Sequence, residues 1–326
     1  MLALFRTNQL QLGIIMVVYA LVIYAYGFYH PMDWAPKHPG VLVRWVYEQI
    51  GGTSGMGARM LAMLLIFLEA FVLNFIVARH RLGDEVNLFP GIFFILFSSL
   101  IPEFQQLSPL HFANFFLLLG LGECLKIYRA PECTGNLFNA GIWIGMASLC
   151  YSTYLLFLFF GLAAMITLRA VNLKEVLAHL IGGILPVIWA WIYGYYTDSL
   201  AFILERWRGD WGIIFLQLQK MTTHTIFLSA LLALLVLIFL LSRRRYLLKT
   251  IFEVQKKINL LYWLLLTTSL TVIFQDSAGP QHFLVLALPA GIFLSFTFNS
   301  FSRQTAEVLH LLVFAGVLAL QVVFAG

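Results

Sequence analysis

From Leu12 to Phe324 the chain is a succession of apolar runs, most of them near the length that crosses a bilayer, with charges almost confined to the gaps. Hydrocarbon offers a peptide group no hydrogen-bond partner, so such runs must satisfy their own backbone as helices. Only 11% of the residues are charged, against roughly 25% in a soluble domain, so most side chains face lipid or one another. The fold class that follows is all-α, a polytopic transmembrane helical bundle.

Helices are expected at 12–29, 59–77, 88–101, 111–127, 138–150, 153–168, 179–196, 224–241, 258–274, 283–298 and 308–324, about 11 spans in one integral-membrane domain, 1–326. The stretch 138–168 is too long for one ordinary crossing and is divided near Cys150, Tyr151 and Ser152. With the N-terminus cytoplasmic, 14 of the 20 Lys and Arg residues fall on the inner side, and 6 on the outer: Lys37, Arg44, Arg59, Arg206, Arg208 and Lys220. The positive-inside rule supports that orientation, with a periplasmic C-terminus in a bacterial inner membrane. A single helix over 138–168 would set the two halves of the chain in disagreement about which side is basic. The first run resembles a signal peptide, but only Arg6 flanks it and no small-residue cleavage site follows Tyr29, so it is read as a retained span.

The excess of Lys and Arg over Asp and Glu, 20 against 15, sits beside the spans and reports topology, with no nucleic-acid motif to go with it. Arg243, Arg244 and Arg245, with Lys249, Lys256 and Lys257, read first as an orientation signal and second as a contact for anionic headgroups. Cys124, Cys133 and Cys150 form no Cys-x-x-Cys pair, so neither a disulfide nor a structural metal is expected. No Walker A, dinucleotide loop, His-Glu-x-x-His or Gly-x-Ser-x-Gly is present.

The outer loops 30–58 and 197–223 each hold an amphipathic segment that suits an interfacial helix. In the first, Val41, Leu42, Trp45 and Val46 lie largely to one side, with Arg44 and Glu48 four apart on another. Within the spans, Gly141 and Gly145 make a small-xxx-small pair that admits a second backbone. Gly182, Gly183 and Pro186 allow close contact or a bend in the seventh span.

Three outer-side residues stand at span ends, where a substrate in the outer leaflet would meet them: Asp33, Glu103 and His282. A carboxylate at an apolar-to-water boundary serves as a general base, and a nearby histidine or arginine holds a phosphate leaving group. His111, Arg206 and Arg208 lie on the same side and join the substrate-binding candidates.

This order of features resembles the GT-C superfamily of integral-membrane glycosyltransferases, which take a sugar from a polyprenyl-phosphate donor at the outer face. In that family an acidic residue follows span one beside short interface helices, as do Asp33 and 39–50 here. A second acid in the next outer loop is matched by Glu103, and the run from Phe138 to Arg169 is similar to the family's coupled middle spans. Gln281-His282-Phe283, ahead of Pro289, resembles a late element in which the family has Arg. The paired acidic motif of loop one is not matched. The chain also resembles inner-membrane proteins of Bacteroidota. The GT-C resemblance implies an inverting displacement in which Asp33 deprotonates the acceptor and Glu103 orients it or binds a metal. His282, with Arg206 or Arg208, steadies the phosphate. Members differ in their need for Mg or Mn.

Two other readings compete. Glu69 lies mid-span, where an ionised carboxylate costs roughly 2.5–3.5 kcal/mol on insertion scales, so a proton-coupled transporter would use it as its relay. A nearly loop-free bundle also suits a non-catalytic subunit or scaffold of a cell-envelope complex, with a membrane-protein partner.

Overall fold

A computed structural model of the chain describes residues 2–6, 10–29, 40–53, 55–83, 85–214, 222–248, 250–275 and 279–325. Every described regular element is helical: α1 (Leu10–Tyr29), α2 (Val41–Ile50), α3 (Met56–Arg79), α4 (Phe89–Ser98), α5 (Pro102–Gln105), α6 (Pro109–Lys126), α7 (Thr134–Cys150) and α8 (Phe157–Leu168). They continue as α9 (Leu173–Tyr196), α10 (Leu200–Gly209), α11 (Thr223–Leu241), α12 (Arg243–Leu247), α13 (Phe252–Ile273), α14 (Ala287–Asn299) and α15 (Arg303–Ala325). Tight 3-10 helices run from Ser152 to Leu156 and from Pro280 to Leu286, leading into α8 and α14. Each expected apolar run is occupied by a helix, and α2 and α10 stand within 30–58 and 197–223, where the two amphipathic segments were expected.

The chain is an integral-membrane protein. Among the described residues, α3, α9, α11, α15 and the continuous segment Pro280–Asn299 are each long and apolar enough to cross a bilayer. Large apolar side chains such as Phe75, Ile181, Trp189, Leu234 and Leu312 are exposed on the outside of the bundle, where lipid is their solvent. At its centre α4 is buried along its whole length and packs against α14. A Cβ on Gly291 would stand 2.9 Å from the Pro90 carbonyl, so these two backbones nearly touch.

The most extensive helix pairing is α7 with α9, and it rests on the predicted small residues. A Cβ on Gly141 would collide with the His179 carbonyl, one on Gly145 with that of Gly183, and one on Gly182 with that of Phe138. Asn172 starts α9 by accepting from the Lys174 N–H at 3.1 Å, and Thr222 starts α11 by accepting from Thr225 at 3.2 Å.

Contacts sort the charges into two ends. At the basic end Lys257 lies 5.7 Å over the Tyr128 ring, and Arg243 donates to Asn259 at 3.0 Å. There His80 is pushed down to about 4 by burial and by the charges of Lys257, Arg79 and Lys126, against the opposing pull of Glu253. Arg169, at the end of α8, donates to the Ala130 carbonyl just before α7. So α8 returns along α7, and the chain does reverse near Tyr151.

Helix length varies within the bundle. The ten residues of α4 span only about 15 Å, and α8 and α14 are nearly as short, against a hydrocarbon core of about 30 Å. Each is completed, at the end away from the basic residues, by broken backbone: 99–108, where only the single turn of α5 is α-helical, and the non-α segments 151–156 and 279–286. Irregular backbone at such depth survives only inside protein or against a wet cavity.

Candidate functional site

These three irregular segments converge. Proline dictates two of their boundaries, because Pro102 and Pro109 open α5 and α6 where a missing N–H costs nothing. α5 and α6 both pack against the 3-10 segment 280–286, and α13 packs against both 3-10 segments. The Tyr151 hydroxyl and His282 Nδ1 share a hydrogen bond of 3.0 Å. The Tyr154 hydroxyl donates to Asn114 Oδ1 at 2.6 Å, while Asn114 Nδ2 donates to the Leu284 carbonyl at 3.2 Å. From the other side the Tyr24 hydroxyl donates to the Ser98 carbonyl, and Gln321 Nε2 donates to that of Ser99. The result is a polar floor in the half of the bundle away from the basic end, called the recessed end below.

α2 and α10 form its rim. Tyr47 of α2 donates to the Leu107 carbonyl at 3.0 Å, and Asp210, just after α10, accepts from the Ser152 N–H at 2.9 Å. The two helices meet at Phe202, whose ring lies 5.0 Å from the Arg44 guanidinium and 4.8 Å from that of Arg206. Arg44 and Arg206 also share an open groove of ≈ 410 Å³ with Tyr47 and Glu48.

The floor is rich in buried polar atoms with no hydrogen-bond partner among the described residues. They are Ser98 Oγ, Glu103 Oε2, Gln105 Oε1, Gln106 Oε1, Ser152 Oγ, Thr153 Oγ1 and Gln275 Oε1. Native proteins rarely leave such groups unpaired, so a concentration of them marks a place built for something polar. Three of the seven are amide oxygens, which accept and do not donate, and Glu103 Oε2 joins them when ionised, so the complementary chemistry is a set of hydroxyl or N–H donors. Burial raises the Glu103 pKa above the ordinary carboxylate range, with its own backbone N–H and the nearby His224 pulling the other way.

The sequence candidates divide accordingly. Glu103 and His282 stand on packed elements of this floor, and Arg206 is on its rim. Asp33 lies outside the described residues. Arg208 is two residues from Arg206 on α10 and exposed, a spacing that sets the two on different faces of the helix. His111 is a correction. It is wholly buried at the start of α6, where Nδ1 accepts from the Ser108 N–H at 3.2 Å and Nε2 donates to the Phe104 carbonyl at 3.1 Å. Both ring nitrogens serve the helix end and leave no group for a substrate. Glu69 is buried in α3 with Oε1 unpartnered, within electrostatic reach of the Tyr24 and Tyr154 hydroxyls beneath the floor.

Asn114, Gln105 and Gln106 were not singled out from sequence, and Tyr151 and Asp210 were not among its site candidates. The Gln105-Gln106 pair at the end of an apolar run was the one local signal. Among the described residues no three His, Cys, Asp or Glu side chains gather as a metal-ligating group. Glu103 supplies a single carboxylate, short of a Mg or Mn ligand set.

No protein-family model matches the chain, and no curated protein matches it in sequence. Among solved structures, the oligosaccharyltransferase of Archaeoglobus fulgidus, tethered with an acceptor peptide containing the NVT sequon, aligns over 97% of this chain and 55% of its own. Identity is 10% and the TM-score 0.52. ArnT from Cupriavidus metallidurans, bound to undecaprenyl phosphate, aligns over 89% of this chain and 56% of its own, at 15% identity and a TM-score of 0.50. The chain thus spans about half the length of either structure. At these identities the likeness concerns the fold.

Proposed function

We propose that this chain, which has the GT-C membrane-glycosyltransferase fold, transfers a sugar from a polyprenyl-phosphate carrier at the recessed end of its bundle. That end would face the periplasm of a bacterial inner membrane, with the N-terminus cytoplasmic and the C-terminus periplasmic. One observation carries the reading: acceptor-rich polar atoms, Glu103 among them, are concentrated within a lipid-embedded helical bundle. A sugar brings the hydroxyl donors those atoms lack, and its polyprenyl chain stays in the bilayer.

In the proposed reaction an acceptor hydroxyl oxygen attacks the anomeric carbon as the bond from that carbon to the phosphate oxygen breaks. Asp33 takes the hydroxyl proton, Glu103 orients the acceptor, and the polyprenyl phosphate departs with the bonding electrons. Arg206, with Arg44 across the Phe202 ring, offers charge to the departing phosphate from the rim, and His282, held by Tyr151, offers a donor from the floor.

The test uses full-length protein in nanodiscs, undecaprenyl phosphate as the binding probe and a radiolabelled undecaprenyl-phosphate hexose as donor. Preferential retention of undecaprenyl phosphate over undecaprenol is expected. Transfer should fall by about 100-fold or more in Asp33→Asn and Glu103→Gln with binding retained. No preference for the phosphate, or full transfer by both variants, would sink the reading. Binding without transfer, alongside a stoichiometric membrane partner, would instead assign a non-catalytic envelope subunit. A second reading rests on Glu69, whose buried Oε1 has no partner among the described residues. Proton-coupled uptake into proteoliposomes, lost in Glu69→Gln, would make the chain a transporter.

A further inference from the structure

The basic end contains a cavity of ≈ 520 Å³, between the loop after α3, the turn after α12 and the end of α14. Its volume lies in the range of small-molecule sites, and it is remote from the recessed floor. One part of its wall is polar, with Arg245, Thr250, Asn299 and Ser300; another is apolar, with Leu248 and Phe301. No carboxylate is among the described lining residues.

Neighbouring contacts place its donors on the wall. Tyr246 anchors α12 to α14 through a hydrogen bond of 2.7 Å with Thr297, which holds the neighbouring Arg245 at the cavity. Asn299 accepts from Asn87 Nδ2 at 2.9 Å through Oδ1, so its own Nδ2 turns toward Gly83 on the cavity wall. Arg245 makes no ion pair among the described residues, whereas its neighbour Arg243 donates to Asn259 and Lys257 pairs with Glu253. A guanidinium with no ion pair among the described residues, an amide donor lining the same cavity and apolar side chains lining it too are complementary to an anion carried on an amphiphile.

We propose that this cavity binds the phosphate headgroup of an anionic lipid, with Arg245 as the principal ligand and Asn299 as a second donor. Leu248 and Phe301 then receive the glycerol and the first carbons of the chains. The shared chemistry is a phosphate anion, so a soluble phosphate compound is the competing source.

The test is lipid retention by the intact detergent-solubilised protein in native mass spectrometry, with phosphatidylglycerol and phosphatidylcholine of identical chains as probes. Phosphatidylglycerol should be retained over phosphatidylcholine, and its occupancy should fall by about tenfold or more in Arg245→Gln. Arg245 is exposed, so that variant should keep the parent's melting temperature. Thr250→Trp fills the cavity without changing charge and should produce the same loss. Displacement of the lipid by inorganic phosphate supports the anion site and assigns it to a soluble ligand. Equal retention of both lipids, or undiminished phosphatidylglycerol in both variants, overturns the proposal. Sugar transfer is not part of the readout, so the outcome does not depend on the function proposed above.

Discussion

Glu103 sits in a four-residue helix that the chain reaches only after α4 has stopped short. Burial favours its neutral form and lifts its pKa above the ordinary carboxylate value. The sign of the linkage follows. The group's contribution to stability is fully present below the unfolded value of about 4.3 and is lost as pH rises through the raised folded value. Glu103→Gln should therefore melt above the parent at about pH 8, with the difference vanishing near pH 4, as read by thermal unfolding in one detergent. A difference that stays constant with pH would show that the carboxylate is not desolvated in the fold. His111 teaches the opposite lesson at the same scale. A histidine just after Pro109 at a span end reads as a substrate group, but the Ser108 N–H at the helix cap needs an acceptor and the buried Phe104 carbonyl of α5 needs a donor, and those two needs take both ring nitrogens.

Helix pairing puts glycine under a sharper test. Gly141 faces the backbone of α9 so closely that one methyl group would have to displace the His179 carbonyl. Gly141→Ala should lower stability by about 1–3 kcal/mol, the usual cost of overpacking, in thermal unfolding. Gly120 on α6 is the internal control, since a Cβ there meets its nearest atom, the Ala140 carbonyl oxygen, at an ordinary 3.5 Å. Gly120→Ala should be neutral or stabilise by up to about 1 kcal/mol through helix propensity. Equal losses at both sites would mean that α7 and α9 are not in backbone contact. The elements themselves were legible in the sequence because apolar runs in lipid have few alternatives to helix. The early end of α4 at Ser98, against the expected 101, was not. Hydropathy registers that Leu100 and Ile101 are apolar, and says nothing of whether they continue a helix or line a buried turn.

At the scale of the whole molecule the site depends on residues far apart in sequence: Tyr24 with Ser98, Asn114 with Tyr154 and Leu284, and Tyr151 with His282. No local pattern encodes such pairings, because they follow from how many times the chain reverses and which short helices stack. The reversals, by contrast, were legible through charge. The 14-to-6 split of Lys and Arg requires a turn near Tyr151, and Arg169 is found back beside Ala130. Which end faces the cytoplasm is a separate matter, and the cysteines make it directly measurable. Cys124, Cys133 and Cys150 are all buried and unpaired, and burial pushes the Cys133 thiol up to about 11, so the parent chain should react slowly with a maleimide. Thr197 and Arg244 are both exposed, the first at the recessed end and the second at the basic end. An impermeant maleimide added to spheroplasts should label Thr197→Cys at once and Arg244→Cys only after permeabilisation. The reverse order would turn Glu103 and His282 toward the cytoplasm and remove the periplasmic setting proposed for transfer. Labelling of both from outside would break the threading on which the recessed floor depends.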